Sequence, residues 1–375
     1  PFFSYIAYQA NHIPLQAPRA FVDKYKGKYK DGWTVLRQQR RDRAVELGLI
    51  PRNAPMQAMA QDDWNALSVT DKAYQERRME VYAGMAEAMD HEIGRLITYL
   101  KESGQFDNTV FIFLSDNGAE GSDPFAVKAG KLWIDANYST EIDRLGGKGA
   151  YSIIGPSWAA AAVSPLNTFK FWAGEGGIRV PLIISGIPGE PRGAVKSTFT
   201  NVADIAPTLL ALAGAKQTDG SYQGKPVEPM IGQSMLPVIT GQTQRVHAAD
   251  KAIFYELSGN VAVYKGEFKL LKNMKPMGDN QWHLYNIDTD PGEVVDLQTK
   301  FQDVFKSLQG EYAAYAKANG VLAMPEDYDP IEQVQINAFH NYYLPKLLRN
   351  APWIVAGIGL LVFGIWYWRR RRVGK

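Results

Sequence analysis

Apolar and polar positions up to Gly214 follow two spacings, one typical of helices and one typical of buried strands. From Glu76 to Ser103 the apolar residues recur every three or four positions, which predicts an amphipathic helix that stops at Gly104. Thr109–Leu114 is a continuous apolar run, which predicts a strand buried on both faces of a sheet. Further buried strands are predicted at 2–8 and Val180–Ile184, and a further helix at Asn201–Leu212. This alternation predicts an α/β fold with a mixed, mainly parallel central sheet flanked by helices.

The pattern changes after residue 250, where short apolar runs are separated by turns. The runs are Ile253–Glu256, Val261–Tyr264, Phe268–Leu271 and His283–Tyr285. Glycines in the connections predict an antiparallel meander, and a helix at Val304–Ala318 would cover one of its faces. We therefore expect an α/β domain at 1–250, a small C-terminal antiparallel β subdomain with a helix at 251–324, and a tether at 325–350.

The most apolar segment is 351–368, eighteen residues without a charge. At about 1.5 Å per residue it forms a helix of about 27 Å, enough to cross a hydrocarbon core of roughly 30 Å. Trp353 near one end and the aromatic residues 366–368 at the other fit interfacial aromatic belts. Arginines fill the start of the basic tail, 369–375, so the positive-inside rule predicts a single transmembrane helix with a cytoplasmic C-terminus. The main domain is then expected to be periplasmic or extracellular.

Composition and charge narrow the possible functions. Of the 375 residues, 46% are apolar and 21% are charged, which is typical of a folded globular protein. The net charge of +2 leaves no basic surplus for phosphate contacts, so no nucleic-acid partner is expected. The sequence has no cysteine, which excludes disulfides, thiolate metal sites and a cysteine nucleophile. It begins at Pro1 without an initiator methionine or a signal peptide, so we expect it to be the remainder of a longer precursor.

Four polar residues in three segments are candidates for chemistry, although each segment also has a structural explanation. Asp116 and Asn117 follow a predicted strand and offer adjacent oxygen ligands for a hard divalent cation, but Asp-Asn-Gly is also a common turn. His12 lies in a proline-flanked loop, where it is either a catalytic or a structural histidine. Lys170 precedes the glycine-rich segment 174–181, whose glycines allow either close approach to a ligand or a tight turn.

These positions lie in longer motifs that are specific as a set. The motifs are FFSYIAYQANHIPLQAP at 2–18, YAGMAEAMDHEIGRLITYLKESGQFDNTVFIFLSDNGAE at 82–120, GPSWAAAAVSPLNTFKFWAGEGGIRVPLIISG at 155–186, TNVADIAPTLLALAG at 200–214 and WHLYNIDTDPGEVVDL at 282–297. With them the chain closely resembles the C-terminal two-thirds of type I sulfatases, the arylsulfatase family of the alkaline-phosphatase-like superfamily. The resemblance does not extend to the apolar C-terminal segment.

The resemblance implies an alkaline-phosphatase-like fold and the hydrolysis of sulfate esters. Asp116 and Asn117 match two metal ligands of the family, so this chain would hold half of a Ca²⁺ (or Mg²⁺) site. His12 matches the histidine that contacts the sulfate ester and helps to protonate the leaving group. Lys170 matches the lysine that contacts a sulfate oxygen. We interpret as structural the neighbouring residues Glu175, Gly176, Gly177 and Arg179, together with His91.

One part of the family pattern is missing from this sequence. Sulfatases use a formylglycine nucleophile made from the first residue of a Cys/Ser-x-Pro-x-Arg motif, which follows an Asp-Asp pair of calcium ligands. The motif does not occur here, so no Asp-Asp pair precedes it, and GEPR at 189–192 lacks the nucleophile. We therefore expect an N-terminal sulfatase fragment as a partner that supplies the nucleophile, and no activity from this chain alone.

Three functions remain compatible with these features. The first is a membrane-anchored sulfatase acting on a sulfate ester of a small molecule or glycan. The second is a non-catalytic, sulfatase-like accessory subunit of an integral membrane complex, bound through 351–368, where Gly357 and Gly364 would allow close helix packing. The third is a related phosphonate or phosphodiester hydrolase. A peptide that precedes Pro1 and carries the nucleophile motif would argue against the accessory-subunit function.

Overall fold

The computed structural model describes residues 2–59, 63–190, 193–218, 220–325 and 328–373. Its helices are α1 (Arg19–Val22), α2 (Gly32–Glu46), α3 (Val69–Glu102), α4 (Lys128–Asn137), α5 (Gly155–Ala162), α6 (Glu175–Ile178), α7 (Ile205–Leu212), α8 (Leu236–Ile239), α9 (Gln302–Asn319), α10 (Pro330–Ala338) and α11 (Leu344–Val373). Its strands are β1 (Phe111–Leu114), β2 (Leu182–Ser185), β3 (Ser221–Tyr222), β4 (Lys225–Pro226), β5 (Ile253–Leu257), β6 (Asn260–Lys265), β7 (Phe268–Lys272) and β8 (His283–Asn286). We refer to α1–α8 with β1–β4 as the main body, and to β5–β8 as the C-terminal sheet.

The longest helix is α3, and local hydrogen bonds set its ends. The Ser68 hydroxyl accepts a hydrogen bond from the Asp71 amide (3.1 Å) and donates one to the Asp71 carboxylate (2.6 Å). At the other end Gly104 adopts a left-handed φ of 68°, so the helix stops where the sequence predicts. The helix begins at Val69 rather than at Glu76, because its first two turns are mostly polar and show no apolar periodicity.

The main core lies beneath α2, α3 and α5 and is built around three tryptophans. Trp33, Trp64 and Trp158 meet edge to face, with ring centroids 4.8 to 5.7 Å apart. A Cβ on Gly32 would lie 2.2 Å from the Trp64 ring, so a larger residue does not fit there. The Trp158 indole N–H donates to the Gln75 carbonyl oxygen (3.0 Å), which ties α5 to α3.

The expected mainly parallel central sheet is wrong for the part of the chain that the structure describes. β1 and β2 pair antiparallel, with Phe111 opposite Ser185, and the other strand pairs are antiparallel as well. The β1–β2 pair is not buried on both faces, since Phe113 is 37% and Ile183 is 59% exposed. A continuous apolar run predicts that a strand can be buried, but it carries no information on the direction of the neighbouring strand.

The strand predicted at 2–8 is also wrong. The structure assigns no strand to these residues, and their large apolar side chains are exposed, with Phe3 at 77% and Tyr5 at 83%. In the described ranges no strand pairs with them, so their backbone has no ladder to join although their apolar and aromatic side chains favour a strand. The segment leads directly into the loop that carries His12.

The predicted antiparallel meander is confirmed by the C-terminal sheet, whose strand order is β5-β6-β7-β8. One face packs against α9 around Leu308, which is 1% exposed. The other face packs against the main body, where Tyr264 and Tyr285 belong to the same buried cluster as Ala173. Ala173 lies three residues after Lys170, so the C-terminal sheet supports the loop that carries this lysine.

The C-terminal helices α10 and α11 follow one another through a π-helical stretch at Phe339–Tyr343. Within them, Glu332–Arg370 is long and apolar enough to cross a membrane, and its most apolar window is not buried against the rest of the described chain. This finding rests on length and composition, and it agrees with the span expected at 351–368.

Candidate functional site

Glu120 brings together the two residues for which the sequence predicts a catalytic role. Its Oε2 lies 2.9 Å from Lys170 Nζ and 3.8 Å from His12 Nε2. The side chains are 12% exposed for Glu120, 26% for Lys170 and 51% for His12, so the cluster opens to solvent on the His12 side. Three segments that are distant in sequence therefore meet in one polar cluster, which we call the Glu120 cluster.

Close packing of two glycine-containing loops positions Lys170. The Lys170 amide donates to the Ala119 carbonyl oxygen (3.1 Å), and the Gly118 amide donates to the Gly177 carbonyl oxygen (2.8 Å). A Cβ on Gly118 would lie 1.8 Å from the Gly176 carbonyl oxygen, so only glycine allows the two backbones to approach this closely. The glycines after Lys170 thus allow close packing of two backbone segments. This is a structural role, and it does not require a ligand.

A hydrogen bond within its own loop sets the tautomer of His12. Nδ1 lies 2.8 Å from the Ile13 carbonyl oxygen. Because a carbonyl only accepts, we assign the Nδ1 proton to this bond, and Nε2 is the ring atom that faces Glu120. The loop is anchored by Leu15, which is 1% exposed and whose amide donates to the Ser152 carbonyl oxygen (2.8 Å). The imidazole is therefore fixed from the side opposite to its free nitrogen.

The Glu120 carboxylate is ionised at neutral pH because both of its oxygens have donors. Burial raises the pKa of Glu120, but hydrogen bonds from Ser122 and Lys170 outweigh burial, and the net pKa is lowered. The Ser122 amide donates to Oε1 at 2.8 Å, while Lys170 occupies Oε2. A fixed negative charge thus orients the Lys170 ammonium group.

Asp116 and Asn117 lie just after β1, on the same loop as Glu120. Asp116 is exposed and Asn117 is half-buried, with its backbone carbonyl accepting a hydrogen bond from the Ser115 hydroxyl (2.8 Å). Their side-chain oxygens are of the type that Ca²⁺ and Mg²⁺ prefer, but Ca²⁺ takes about 6–8 oxygen ligands. Within the described ranges no group of three or more His, Cys, Asp or Glu residues is placed to hold a metal ion. These two residues are too few for the cation, and their metal-binding role stays a prediction.

A second charged cluster is buried where the start of α6 meets the C-terminal sheet. Lys269 Nζ lies 2.9 Å from Glu175 Oε1 and 2.6 Å from Glu293 Oε1, and none of the three side chains is more than 2% exposed. The Tyr264 hydroxyl donates to Glu175 Oε1 (2.6 Å), and the Glu175 amide donates to Glu293 Oε2 (3.2 Å). These contacts join the start of α6 to the C-terminal sheet and so hold the end of the Lys170 loop.

The pKa values of the two carboxylates in this buried cluster are shifted in opposite directions. Burial raises the pKa of Glu293 to about 7, against the opposing effect of the Lys269 charge. Burial also raises the pKa of Glu175, but the charges of Lys269 and Arg179 outweigh it and the net pKa is lowered. Arg179 lies 3.5 Å from Glu175 Oε2, so Glu175 has two cations as neighbours and Glu293 has one. The contacts agree with the structural interpretation of Glu175 and Arg179.

Glu120 and Lys269 are site residues that the sequence did not lead us to expect. Glu120 follows Asp-Asn-Gly-Ala directly, so an acidic side chain beside two proposed ligands was a usable signal. Lys269 interrupts the apolar pattern of β7, and a lysine that is fully buried requires a charged partner. Its partners Glu175 and Glu293 are distant in sequence, so the pattern alone does not identify them.

Family profiles and curated relatives of known type match most of this chain. The profile of the Sulfatase family matches residues 1–215, and the profile of the C-terminal part of N-sulphoglucosamine sulphohydrolase matches residues 169–317. An uncharacterized sulfatase of Schizosaccharomyces pombe is 36% identical over 331 residues, covering 87% of this chain and 60% of that protein. An arylsulfatase of Klebsiella aerogenes is 36% identical over 242 residues, covering 64% of this chain and 51% of that protein.

Among solved structures, Ps i-CgsB in complex with k-i-k-neocarrahexaose matches with a TM-score of 0.48 and 21% identity, over 84% of this chain and 60% of that chain. The chain spans between half and two-thirds of the length of the two curated relatives described above. The Sulfatase profile covers more than half of the chain. On this match, the chain belongs to the sulfatase family.

Proposed function

We propose that this chain is part of a membrane-anchored sulfatase that hydrolyses sulfate esters of small molecules or glycans. The observation that carries the proposal is the convergence of His12 and Lys170 on Glu120, within 3.8 and 2.9 Å of the same oxygen. The family assigns sulfate contact to residues of these two types at these two motif positions. Their meeting in space is what a shared role at one ester requires.

The chemistry of the reaction needs both residues. Hydrolysis of a sulfate ester builds negative charge on the transferred group and on the departing alkoxide or phenoxide. The Lys170 ammonium would stabilise the first charge. His12, protonated on both ring nitrogens, would donate the Nε2 proton to the leaving oxygen while Nδ1 keeps its bond to the Ile13 carbonyl oxygen. Its exposure of 51% leaves Nε2 accessible to an ester that approaches from solvent.

Glu120 is assigned a positioning role in this proposal. Its Oε1 is tied to the Ser122 amide, so Oε2 is fixed beside Lys170 before substrate arrives. A preoriented ammonium needs little reorganisation when charge develops on the sulfate oxygens. Glu120 therefore acts through Lys170 and His12, and it does not itself contact the ester.

Groups beyond the described cluster complete the proposal. Asp116 and Asn117 would contribute two of the oxygen ligands of a Ca²⁺ or Mg²⁺ ion, with the remaining ligands supplied elsewhere in the protein. The formylglycine nucleophile would also come from outside these 375 residues, since the sequence contains neither a cysteine nor a Ser-x-Pro-x-Arg motif. The helix α11 would anchor the chain, with the main body on the periplasmic or extracellular side.

Aryl sulfate turnover by the whole protein, expressed with any sequence that precedes Pro1, tests this function. His12→Ala and Lys170→Ala should each lower kcat/KM by about 100-fold, because each removes one source of transition-state stabilisation. Lys131→Ala is the matched control, since it removes an exposed lysine that pairs with the nearby Asp135. The loss in His12→Ala should be larger with an alkyl sulfate than with 4-nitrophenyl sulfate, because the poorer leaving group depends more on protonation.

Each alternative has its own outcome in this experiment. If the whole protein turns over no sulfate ester, the sulfatase function is excluded and the non-catalytic accessory-subunit function is favoured. A higher kcat/KM for a phosphonate monoester than for the sulfate would favour the related hydrolase. Unchanged turnover in both His12→Ala and Lys170→Ala would contradict the assignment of the Glu120 cluster as the active site.

A further inference from the structure

A basic depression lies where the main body meets the C-terminal sheet. It has a cavity volume of about 30 Å³ and is open to solvent. Its walls come from the segment at 198–199, the segment at 245–251 and the turn between β6 and β7. It contains none of the residues of the Glu120 cluster.

The cationic side chains of this depression are incompletely neutralised. Arg245 and Lys251 both line it, and neither has an ion-pair or hydrogen-bond partner for its side chain among the described residues. Lys265 also lines it and is paired with Glu311 at 2.7 Å. The acidic neighbours in sequence, such as Asp250, are not part of the lining. The depression therefore carries excess positive charge, which favours an anionic ligand.

His247 provides a second, independent feature at the same place. Its side chain lines the depression but is only 8% exposed. Nε2 lies 2.8 Å from Asp204 Oδ2, so the ring is fixed with this nitrogen as the donor. The Asp204 carboxylate is further held by the amides of Asn201 and Gln233, each at 2.7 Å. His247 Nδ1 is buried and has no hydrogen-bond partner among the described residues, which is costly unless a ligand supplies one.

We propose that this depression binds a tetrahedral oxyanion, a sulfate or phosphate group that is either free or carried by a glycan. Arg245 and Lys251 would pair with its charge. A protonated His247 would donate from Nδ1 to one of its oxygens and so gain the partner that this atom lacks. The depression would be separate from the proposed catalytic cluster, and the inference does not depend on that cluster being catalytic.

Equilibrium titration of the full chain in detergent with inorganic sulfate, and separately with inorganic phosphate, tests this site. The variant R245Q/K251Q should weaken sulfate binding by about tenfold or more, because charge-assisted contacts of roughly 1.4 kcal/mol or more are lost. The control K300Q/K306Q removes the same charge from positions outside the depression, and it should change the affinity less than twofold. Titration of K170A should leave the part of the sulfate binding that R245Q/K251Q removes, which separates this site from any sulfate bound at the Glu120 cluster.

A sulfated hexasaccharide distinguishes the two sources of the oxyanion. Displacement of bound sulfate by the hexasaccharide, lost in R245Q/K251Q, would identify a group carried by a glycan. Binding of sulfate and phosphate without displacement would identify a free anion. An equal loss of affinity in R245Q/K251Q and K300Q/K306Q, or no binding of either anion by the parental chain at millimolar concentration, would overturn the proposal.

Discussion

The ammonium nitrogen of Lys170 lies 2.9 Å from Oε2 of Glu120, and both side chains are more than two-thirds buried. The same carboxylate faces His12, so one acid aligns two residues with different proposed roles. Replacing Glu120 by glutamine keeps the size of the side chain and removes its charge. The position of Lys170 then depends on neutral contacts only.

We predict that Glu120→Gln lowers kcat of the whole protein by about tenfold, because the ammonium group loses its orienting charge. KM should change by less than about threefold, and the unfolding midpoint should stay near the parental value. Glu141→Gln, at an exposed position of the following segment, is the control and should have no effect. A fall in stability without a change in kcat would assign Glu120 a structural role.

The buried Lys269 should matter more for stability than any exposed lysine. We predict that Lys269→Met lowers the free energy of unfolding by about 3–5 kcal/mol, because it leaves the Glu175 and Glu293 carboxylates without their shared cation. Lys265 lies on the neighbouring strand β6 and forms a half-buried pair with Glu311 of α9, so Lys265→Met should cost at most about 1 kcal/mol. Urea unfolding in detergent measures both.

If Lys269→Met does not fold, a second variant keeps this prediction testable. Lys269→Met with Glu293→Gln leaves Glu175 paired with Arg179 and removes the uncompensated carboxylate. The double variant should regain folding yield relative to Lys269→Met. Equal losses in Lys269→Met and Lys265→Met would show that the buried network does not stabilise the contact between the main body and the C-terminal sheet.

Gly118 is expected to tolerate no side chain. We predict that Gly118→Ala is strongly destabilising, by several kcal/mol or to the point of misfolding, because its Cβ would lie 1.8 Å from the Gly176 carbonyl oxygen. Gly94→Ala in α3 is the control and should stabilise the protein. No atom lies within 4 Å of the added Cβ, and alanine is more favourable than glycine in a helix by about 1 kcal/mol. Thermal unfolding of the two variants should shift in opposite directions, and a neutral Gly118→Ala would contradict the close packing.

His283 should make stability dependent on pH. Its Nδ1 lies 2.7 Å from Asp296 Oδ2 and its Nε2 lies 3.1 Å from Asp279 Oδ1. Burial lowers the pKa of His283, but the two carboxylates outweigh burial and raise it above its ordinary value of about 6.5. Since the folded pKa exceeds the unfolded one, this stabilisation is fully present below about pH 6.5 and is lost as the pH rises through the folded pKa.

His283→Gln should therefore destabilise the protein more at about pH 6 than at about pH 9, as measured by urea unfolding at the two values. His91→Gln is the control, because His91 contacts the Phe21 ring and has no carboxylate partner in the described part of the chain. The same loss of stability at both pH values would show that His283 stabilises only by packing.

Much of the fold could be predicted from the sequence where the residues of one helix or strand are enough to specify it. Apolar periodicity predicted α3 and α9, and short runs between glycine turns predicted β5–β8, because these patterns depend on local geometry. The expectation of a mainly parallel sheet does not hold for β1 and β2, because the direction of a strand depends on how distant segments meet. The predicted strand at 2–8 failed for the same reason, because a strand needs a neighbour that its own sequence does not specify.

In the candidate site, too, local motifs could be predicted from the sequence, whereas contacts between distant segments could not. His12 and Lys170 could be selected from motif resemblance, and the structure brings them to one carboxylate. Glu120 had a local signal in its place directly after the proposed ligands, but its pairing with Lys170 and the partners of Lys269 could not be predicted, because ion pairs between distant segments leave no periodic signal. Asp116 and Asn117 stay predicted ligands, and their roles depend on atoms outside the described residues.

The three indoles of Trp33, Trp64 and Trp158 have a spectroscopic consequence. Ring centroids within 6 Å place their electronic transitions close enough to couple, which gives a circular dichroism signal that isolated indoles do not produce. The tryptophans of α11 are largely exposed, with Trp353 at 79%, and respond to lipid or detergent instead. One optical experiment can therefore follow the melting of the main core separately from events at the C-terminal helix.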